Sequence, residues 1–335
     1  MVTISNLPAL VRKQFKAAQE NGDLMFYATR VEILQCKGIS VPNVLQASNA
    51  TAQVAQFQLR FSPALGNKPI SNKPKTPSSK PFDPFEDPPA GLFITALPPF
   101  HYLVLNKFHI IPNHFILATK DFKQQADLLE KEDLEAAYAC LKAYKEQGEE
   151  LFGFFNCGDC SGASQPHRHI QFLPVQSMKS GIEDGSQWHV LANDLIQEPR
   201  PILPFSYFSA KLSENPSAEE LHRIYLNLYD QACQLLQRNP NRNPNLEAQA
   251  SSISYNLGLT DKALILCPRT SEGTAIQSKN GEIIGPISLN GTVLGGTLLV
   301  KSEEEWDALR DDESKLTDIL SAIGVPSKPE YEKRL

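Results

Sequence analysis

No stretch of the sequence approaches the run of about twenty apolar residues that a membrane-spanning helix needs. Met1 to Leu10 hold no basic run followed by an apolar core, so a secretory signal is not expected. Basic charge is not in excess: 32 Lys and Arg stand against 38 Asp and Glu, a net charge of -6 at pH 7. That balance argues against a nucleic-acid partner, although charge focused in one cleft can still hold a small polyphosphate. Cysteine is sparse and irregular, at Cys36, Cys140, Cys157, Cys160, Cys233 and Cys267. Reduced thiols in a cytoplasmic protein fit this pattern better than a disulfide framework. No second Cys pair stands at zinc-finger spacing from Cys157 and Cys160, so these two are expected to fill a loop rather than bind metal.

What is present is an ordinary globular balance, 41% hydrophobic and 21% charged. The 335 residues suffice for two modest domains or one domain built from two halves. Residues 11 to 22 read as a helix stopped by Gly22, and residues 56 to 61 alternate like a half-buried strand. Pro63 to Pro89 are rich in Pro, Lys and Ser and nearly free of aliphatic residues, which predicts a loop or linker outside the core. Its Lys68, Lys73, Lys75 and Lys80 are either solvated or available to an anion. Residues 102–105 and 115–119 predict two strands around a functional loop, and residues 131–147 a helix closed by Gly148. Strands follow at 151–155 and 169–173. Ser217 and Glu220 form a capping box for a helix running to about residue 238. A hairpin is expected over 253–259 and 263–267, a strand over 293–300, and helices over 302–310 and 313–323. Strand pairs plus helices without regular βαβ alternation point to an α+β fold.

The informative segment runs from Asn156 to Gln171. A strand ends at Asn156, and a loop with Gly158, Ser161, Gly162 and Ser164 follows. Glycines let backbone N–H groups approach an anion closely. His167, His169 and Gln171 then stand at spacing two, which on a strand places them on one face. Read alone, a His-x-His pair on a strand is usually structural or a metal ligand. Beside a phosphate-type loop it suits nucleophilic catalysis on phosphorus, since a neutral imidazole is nucleophilic near pH 7. Ser164, Gln171 and backbone amides could hold the phosphoryl oxygens. Of the other histidines, His101, His109, His189 and His222 read as surface or structural, and His114 stands between the two readings.

At these residues the sequence resembles the His-x-His-x-Gln transferases of the histidine-triad superfamily. The closer resemblance is to the fungal-type diadenosine tetraphosphate phosphorylases, also called ATP adenylyltransferases. It extends over Phe61 to Pro69, Asp83-Pro84-Phe85, Leu105 to Phe108, Ser254-Tyr255-Asn256, Cys267-Pro268-Arg269 and Asn290-Gly291-Thr292. The resemblance implies a histidine-triad-like α+β fold of two fused halves, each with an antiparallel sheet and helices, here residues 1–195 and 196–335. It implies phosphorolysis of diadenosine tetraphosphate to ATP and ADP, with His169 as nucleophile. Ser164 and Gln171 would contact the reacting phosphate, and His167 would assist. Asn156, Gly162, Ala163 and Gln165 would surround the phosphate chain. Lys68 matches a polyphosphate-binding lysine, and Asn106 and Lys107 match nucleotide-binding positions. Asn290, Gly291, Thr292, Thr297 and Lys301 fall where the second half reaches the nucleotide. The expected partners are nucleotides and inorganic phosphate, with no tightly bound cofactor, although Mg²⁺ could accompany the tetraphosphate. An amide at position 171 cannot titrate, which favours transfer over hydrolysis. The alternatives are a hexose-1-phosphate nucleotidyl transferase, a dinucleoside polyphosphate hydrolase and a non-catalytic nucleotide binder.

Overall fold

The computed structural model describes residues 4–36, 54–65, 82–182, 187–237 and 253–327. Strands β1 (Met25–Phe26), β2 (Arg30–Cys36) and β3 (Ala55–Phe61) precede β4 (Phe93–Leu97), β5 (His101–Leu105), β6 (Phe108–His109) and β7 (Phe115–Thr119). Then come β8 (Leu151–Cys157), β9 (His169–Pro174), β10 (Phe208–Lys211), β11 (Tyr255–Leu259) and β12 (Ala263–Pro268). Strands β13 (Gly273–Gln277), β14 (Ile283–Ser288) and β15 (Thr297–Val300) complete the set among the described residues.

The main sheet has eight antiparallel strands in the order β10-β12-β11-β8-β9-β7-β5-β4. The antiparallel β8–β11 pairing carries it from the first half of the chain into the second. A smaller sheet, β15-β3-β2, interlocks the halves again, with β15 parallel to β3. One face of the main sheet packs on helices α1 (Leu7–Asn21), α2 (Lys131–Lys145) and α5 (Ala218–Gln237). Between them, α3 (Val175–Met178) and α4 (Leu191–Asp194) are single turns. Toward the smaller sheet lies a second core, which includes Trp188, Trp306 and residues of α6 (Glu303–Asp311) and α7 (Ser314–Ala322). No helix among the described residues is long and apolar enough to cross a membrane.

Local chemistry explains the helix ends that matter. Helix α2 opens on a reciprocal capping box between Glu130 and Asp133, so two N–H groups that would lack partners are satisfied. Helix α5 opens where the Ser217 hydroxyl accepts the Glu220 N–H at 3.1 Å, while the Glu220 carboxylate turns to Ser213.

Three expectations change. Helix α1 begins at Leu7 rather than residue 11, because Pro8 lies in the first turn, where a missing N–H costs nothing. Residues 291–295 form a 3₁₀ turn rather than strand, because the Asn290 side chain accepts the Thr292 N–H; Gly296 at φ 73° then redirects the chain into β15. The end of the Pro-rich segment also joins the core, with Phe85 only 6% exposed. Lys68, Lys73, Lys75 and Lys80 lie outside the described residues.

Candidate active site

Register decides which side chains meet. Strand β9 lies between β7 and β8, with Ala118 opposite His169, and Ile116 and Phe154 opposite Gln171. Directly opposed residues share a face, as do residues two apart on a strand. His114, His169, Gln171 and Asn156 therefore belong to one face, and Asn156 faces Asn256 across β8 and β11. Ala118 leaves only a methyl opposite the His169 imidazole. Arg168 points the other way, where it donates to Asp133 at 2.9 Å and to Glu130 at 3.1 Å. Asp133 in turn meets His101 Nε2 at 2.7 Å. The buried Arg168, Asp133 and His101 tie β9 to the start of α2.

The backbone of His169 is clamped by Gln125. Its N–H donates to Gln125 Oε1 at 2.8 Å, and its carbonyl accepts from Gln125 Nε2 at 3.2 Å. The same Nε2 donates to the Asn156 carbonyl at 2.8 Å. One side-chain amide thus continues the ladder where the strands part. Gln125 is a residue that sequence reading missed, and nothing local in the sequence marks it.

The His169 ring is 4% exposed, and its Nδ1 donates to the His167 carbonyl at 2.8 Å. A carbonyl can only accept, so Nδ1 carries the proton and the lone pair sits on Nε2. Burial pushes the imidazole down to about 4, with the neighbouring His167 ring lowering it further. His169 is consequently neutral at pH 7 and nucleophilic at Nε2. The Asp83 carboxylate acts in the opposite sense, favouring positive charge on this ring.

His167 is placed differently from a reacting group. It lies just before β9 and is 1% exposed. Its Nδ1 meets Asp83 Oδ2 at 2.7 Å, and its Nε2 meets the carbonyl and hydroxyl of Thr119 at 2.9 and 3.0 Å. With both nitrogens engaged, it acts on His169 through its own carbonyl. Asp83 Oδ1 also accepts the Phe85 N–H at 2.9 Å, a turn typical of aspartate, and the Tyr102 hydroxyl donates to the Phe85 carbonyl at 2.6 Å. The strap so held lays the Phe85 ring 5.0 Å from the His169 ring, centroid to centroid.

Gln171 is half-buried, and its Oε1 lies 3.1 Å from His114 Nε2. Ser164 is exposed, and Ala163 and Gln165 are half-buried, in the loop before His167. Gly162, at φ 77°, brings that loop against the second half: an added Cβ would lie 2.8 Å from Asn290 Cβ and 2.9 Å from the Leu289 carbonyl. Asn156 Oδ1 accepts from the Gly291 N–H at 2.8 Å and from Asn256 Nδ2 at 2.9 Å. Asn256 also donates to the Ser161 carbonyl at 2.9 Å and accepts from the buried Arg269 guanidinium. These side chains are a buried brace between the loop and the 290–292 turn.

The other expected contacts sit as follows. The Asn290 carboxamide oxygen is taken by the Thr292 N–H and hydroxyl at 3.0 and 2.8 Å. Thr297 is 2% exposed and donates to Gln58 Oε1 at 3.2 Å, so its side chain faces the core of the smaller sheet. Lys301 is exposed beyond β15. Lys107 is exposed, its carbonyl accepting from the Met25 N–H at 2.9 Å. The Asn106 side chain binds the Phe108 backbone and His114 rather than standing free. The Cys157 thiol is buried and donates to the Ala126 carbonyl at 3.3 Å.

Comparison with known proteins covers both halves of the chain. Models of the Ap4A phosphorylase N-terminal domain and the ATP adenylyltransferase C-terminal domain match residues 1–184 and 201–326. Diadenosine 5',5'''-P1,P4-tetraphosphate phosphorylase 2 of Saccharomyces cerevisiae is 29% identical over 344 residues, covering 96% of this chain and 95% of that protein. The crystal structure of yeast Ap4A phosphorylase Apa2 superposes with a TM-score of 0.72 at 25% identity, over 98% of this chain and 100% of that one. The same yeast enzyme in complex with AMP gives 0.69 at 26% identity, over 97% and 98% of the two chains.

Proposed function

The chain belongs to the Ap4A phosphorylase family, and on that premise we propose that it splits diadenosine tetraphosphate with inorganic phosphate into ATP and ADP through an adenylyl group on Nε2 of His169. The observation that carries the mechanism is the His169 tautomer, with Nδ1–H on the His167 carbonyl and the lone pair on Nε2. In the first step Nε2 attacks the phosphorus next to one adenosine. The P–N bond forms, the P–O bond to the remaining triphosphate breaks, and ATP leaves as an anion that needs no proton. In the second step an oxygen of inorganic phosphate attacks the same phosphorus, the P–N bond breaks, and ADP is released. Nδ1–H stays on the His167 carbonyl throughout, and the adduct's positive ring is favoured by Asp83. Ser164, Gln171 and the Gly162–Gln165 loop hold the reacting phosphate, and Lys68 holds the chain beyond it. The loop is seated by Asn156, Asn290, Gly291 and Thr292. Mg²⁺ enters, where it takes part, with the polyphosphate it neutralises.

Ion-exchange separation of products tests this reading. ATP and ADP should form from diadenosine tetraphosphate only when inorganic phosphate is present. ATP and AMP without phosphate would make the protein a hydrolase, and no turnover would direct attention to nucleotide sugars.

A further inference from the structure

A line of hydrogen bonds runs into the site from the loop between β5 and β7. Asn106 Nδ2 lies 2.9 Å from His114 Nδ1, and His114 Nε2 lies 3.1 Å from Gln171 Oε1. An amide and an imidazole each hold a donor and an acceptor, so such a line can run in either direction. The backbone of Phe108 removes the choice. Its N–H donates to Asn106 Oδ1 at 3.3 Å, and its carbonyl accepts from Asn106 Nδ2 at 3.2 Å. A peptide N–H can only donate and a peptide carbonyl can only accept. Asn106 therefore turns its NH₂ to His114, His114 accepts at Nδ1 and carries its proton on Nε2, and Gln171 accepts at Oε1. What Gln171 has left is its NH₂ group.

We propose that Asn106 and His114 are positioning residues that hold the Gln171 amide with its NH₂ toward the phosphoryl group carried by His169. The proposal rests on the phosphorylase reading for the identity of that group. Gln171 and His169 stand two apart on one face of β9, so donors fixed on Gln171 meet the oxygens that gain charge as phosphorus passes between acceptors. A reversed amide would set a lone pair against those oxygens. His114 is suited to relay one fixed polarity because it stays neutral: it is 7% exposed, and burial pushes its imidazole down to about 3. Were it protonated, Nδ1–H would face the Asn106 NH₂, and the line would break. The same geometry explains why Asn106, at a nucleotide-binding position by resemblance, spends its side chain on the protein.

Two substitutions at position 114 separate relay from packing. His114 lies against the rings of His109 and Phe154, at centroid distances of 6.1 and 6.3 Å. His114→Phe keeps a ring there but removes both polar atoms, whereas His114→Gln keeps a donor at similar reach and loses the ring. The relay predicts that His114→Phe lowers kcat by roughly 10- to 100-fold with KM for diadenosine tetraphosphate little changed, and that His114→Gln recovers most of that loss. The opposite order overturns it. Asn106→Asp supplies a readout that requires neither core substitution nor turnover. A carboxylate cannot donate to Nδ1, so the ¹⁵N spectrum of labelled protein should show the His114 proton on Nε2 in the wild type and on Nδ1 in the variant. A wild-type proton on Nδ1, or one that stays on Nε2 in the variant, overturns the relay. A wild-type enzyme that turns over without phosphate refutes the phosphorylase reading instead, while the spectrum still decides the direction of the line.

Discussion

Asp83 and His167 lie 84 residues apart in sequence, yet the Asp83 carboxylate sits 2.7 Å from the His167 Nδ1 and is 11% exposed against 1% for the ring. The pair fixes the residue whose carbonyl holds His169 in its reactive tautomer. It also brings a carboxylate that favours positive charge on the His169 ring into the site. The end of a Pro-rich segment thereby becomes part of the candidate site.

Replacing Asp83 should test both effects. Asp83→Asn can still accept the Phe85 N–H, so the strap should fold. Loss of the charge-assisted bond should cost about 1.5–3 kcal/mol of stability. With the negative charge gone, the cationic adduct on His169 should be less favoured, and kcat should fall roughly tenfold with a smaller change in KM. Denaturant unfolding and steady-state kinetics on one preparation read the two effects separately. An unchanged kcat would show that Asp83 serves only the fold.

Gly162 is one of the points beside the site where the two halves meet in close contact. Its positive φ of 77° and the 2.8 Å separation of a built Cβ from Asn290 Cβ leave no room for a side chain. Gly162→Ala should cost about 1–3 kcal/mol and lower activity, because the loop must lift from the 289–291 turn. Gly148 is the control, with φ 71° and nothing within 4 Å of a built Cβ. Gly148→Ala should cost about 1 kcal/mol and leave kcat unchanged. Equal activity losses in the two variants would count against the close approach as the cause.

Three buried imidazoles make the fold sensitive to acid. Burial pushes His109 to about 4, His114 to about 3 and His169 to about 4, from an ordinary 6.5. The unfolded chain binds protons at these groups from about pH 6.5 downward, whereas the folded protein binds them only near pH 3–4. Their contribution is therefore intact above pH 6.5 and is lost progressively below it. The Tm should fall steadily between pH 7 and pH 5. The His109 ring is fully buried, and the backbone of His114 lies near it without meeting hydrogen-bond geometry. His109→Phe should stabilise the protein by about 1–3 kcal/mol and flatten its pH dependence. A Tm that is level through this range would contradict the neutral state of these rings.

The parts of the site legible in the sequence are those made by neighbours in the chain. His169 and Gln171 share a face because a strand repeats every two residues, and glycines at 158 and 162 mark where the backbone turns left-handed. Helices α2 and α5 announced themselves by apolar spacing and caps. What stayed hidden depends on contacts that no local pattern encodes. Gln125 reaches His169 across 44 residues, and Asp83 reaches His167 across 84. The free Nε2 of His169 and the occupied nitrogens of His167 follow from which carbonyls lie opposite, which spacing alone does not specify. Thr297 was placed by resemblance near the nucleotide, but parallel pairing of β15 with β3 turns its hydroxyl to Gln58.

The most direct test of the account is to trap the enzyme part-way through its reaction. Diadenosine tetraphosphate labelled at the phosphates next to adenosine would be mixed with the enzyme without inorganic phosphate, quenched in alkaline denaturant, and mapped by peptide. The account predicts an adenylate on the peptide carrying His169, discharged as ADP when phosphate is added before the quench, and none on His169→Ala. Label on another residue, or undiminished turnover by His169→Ala, would contradict it.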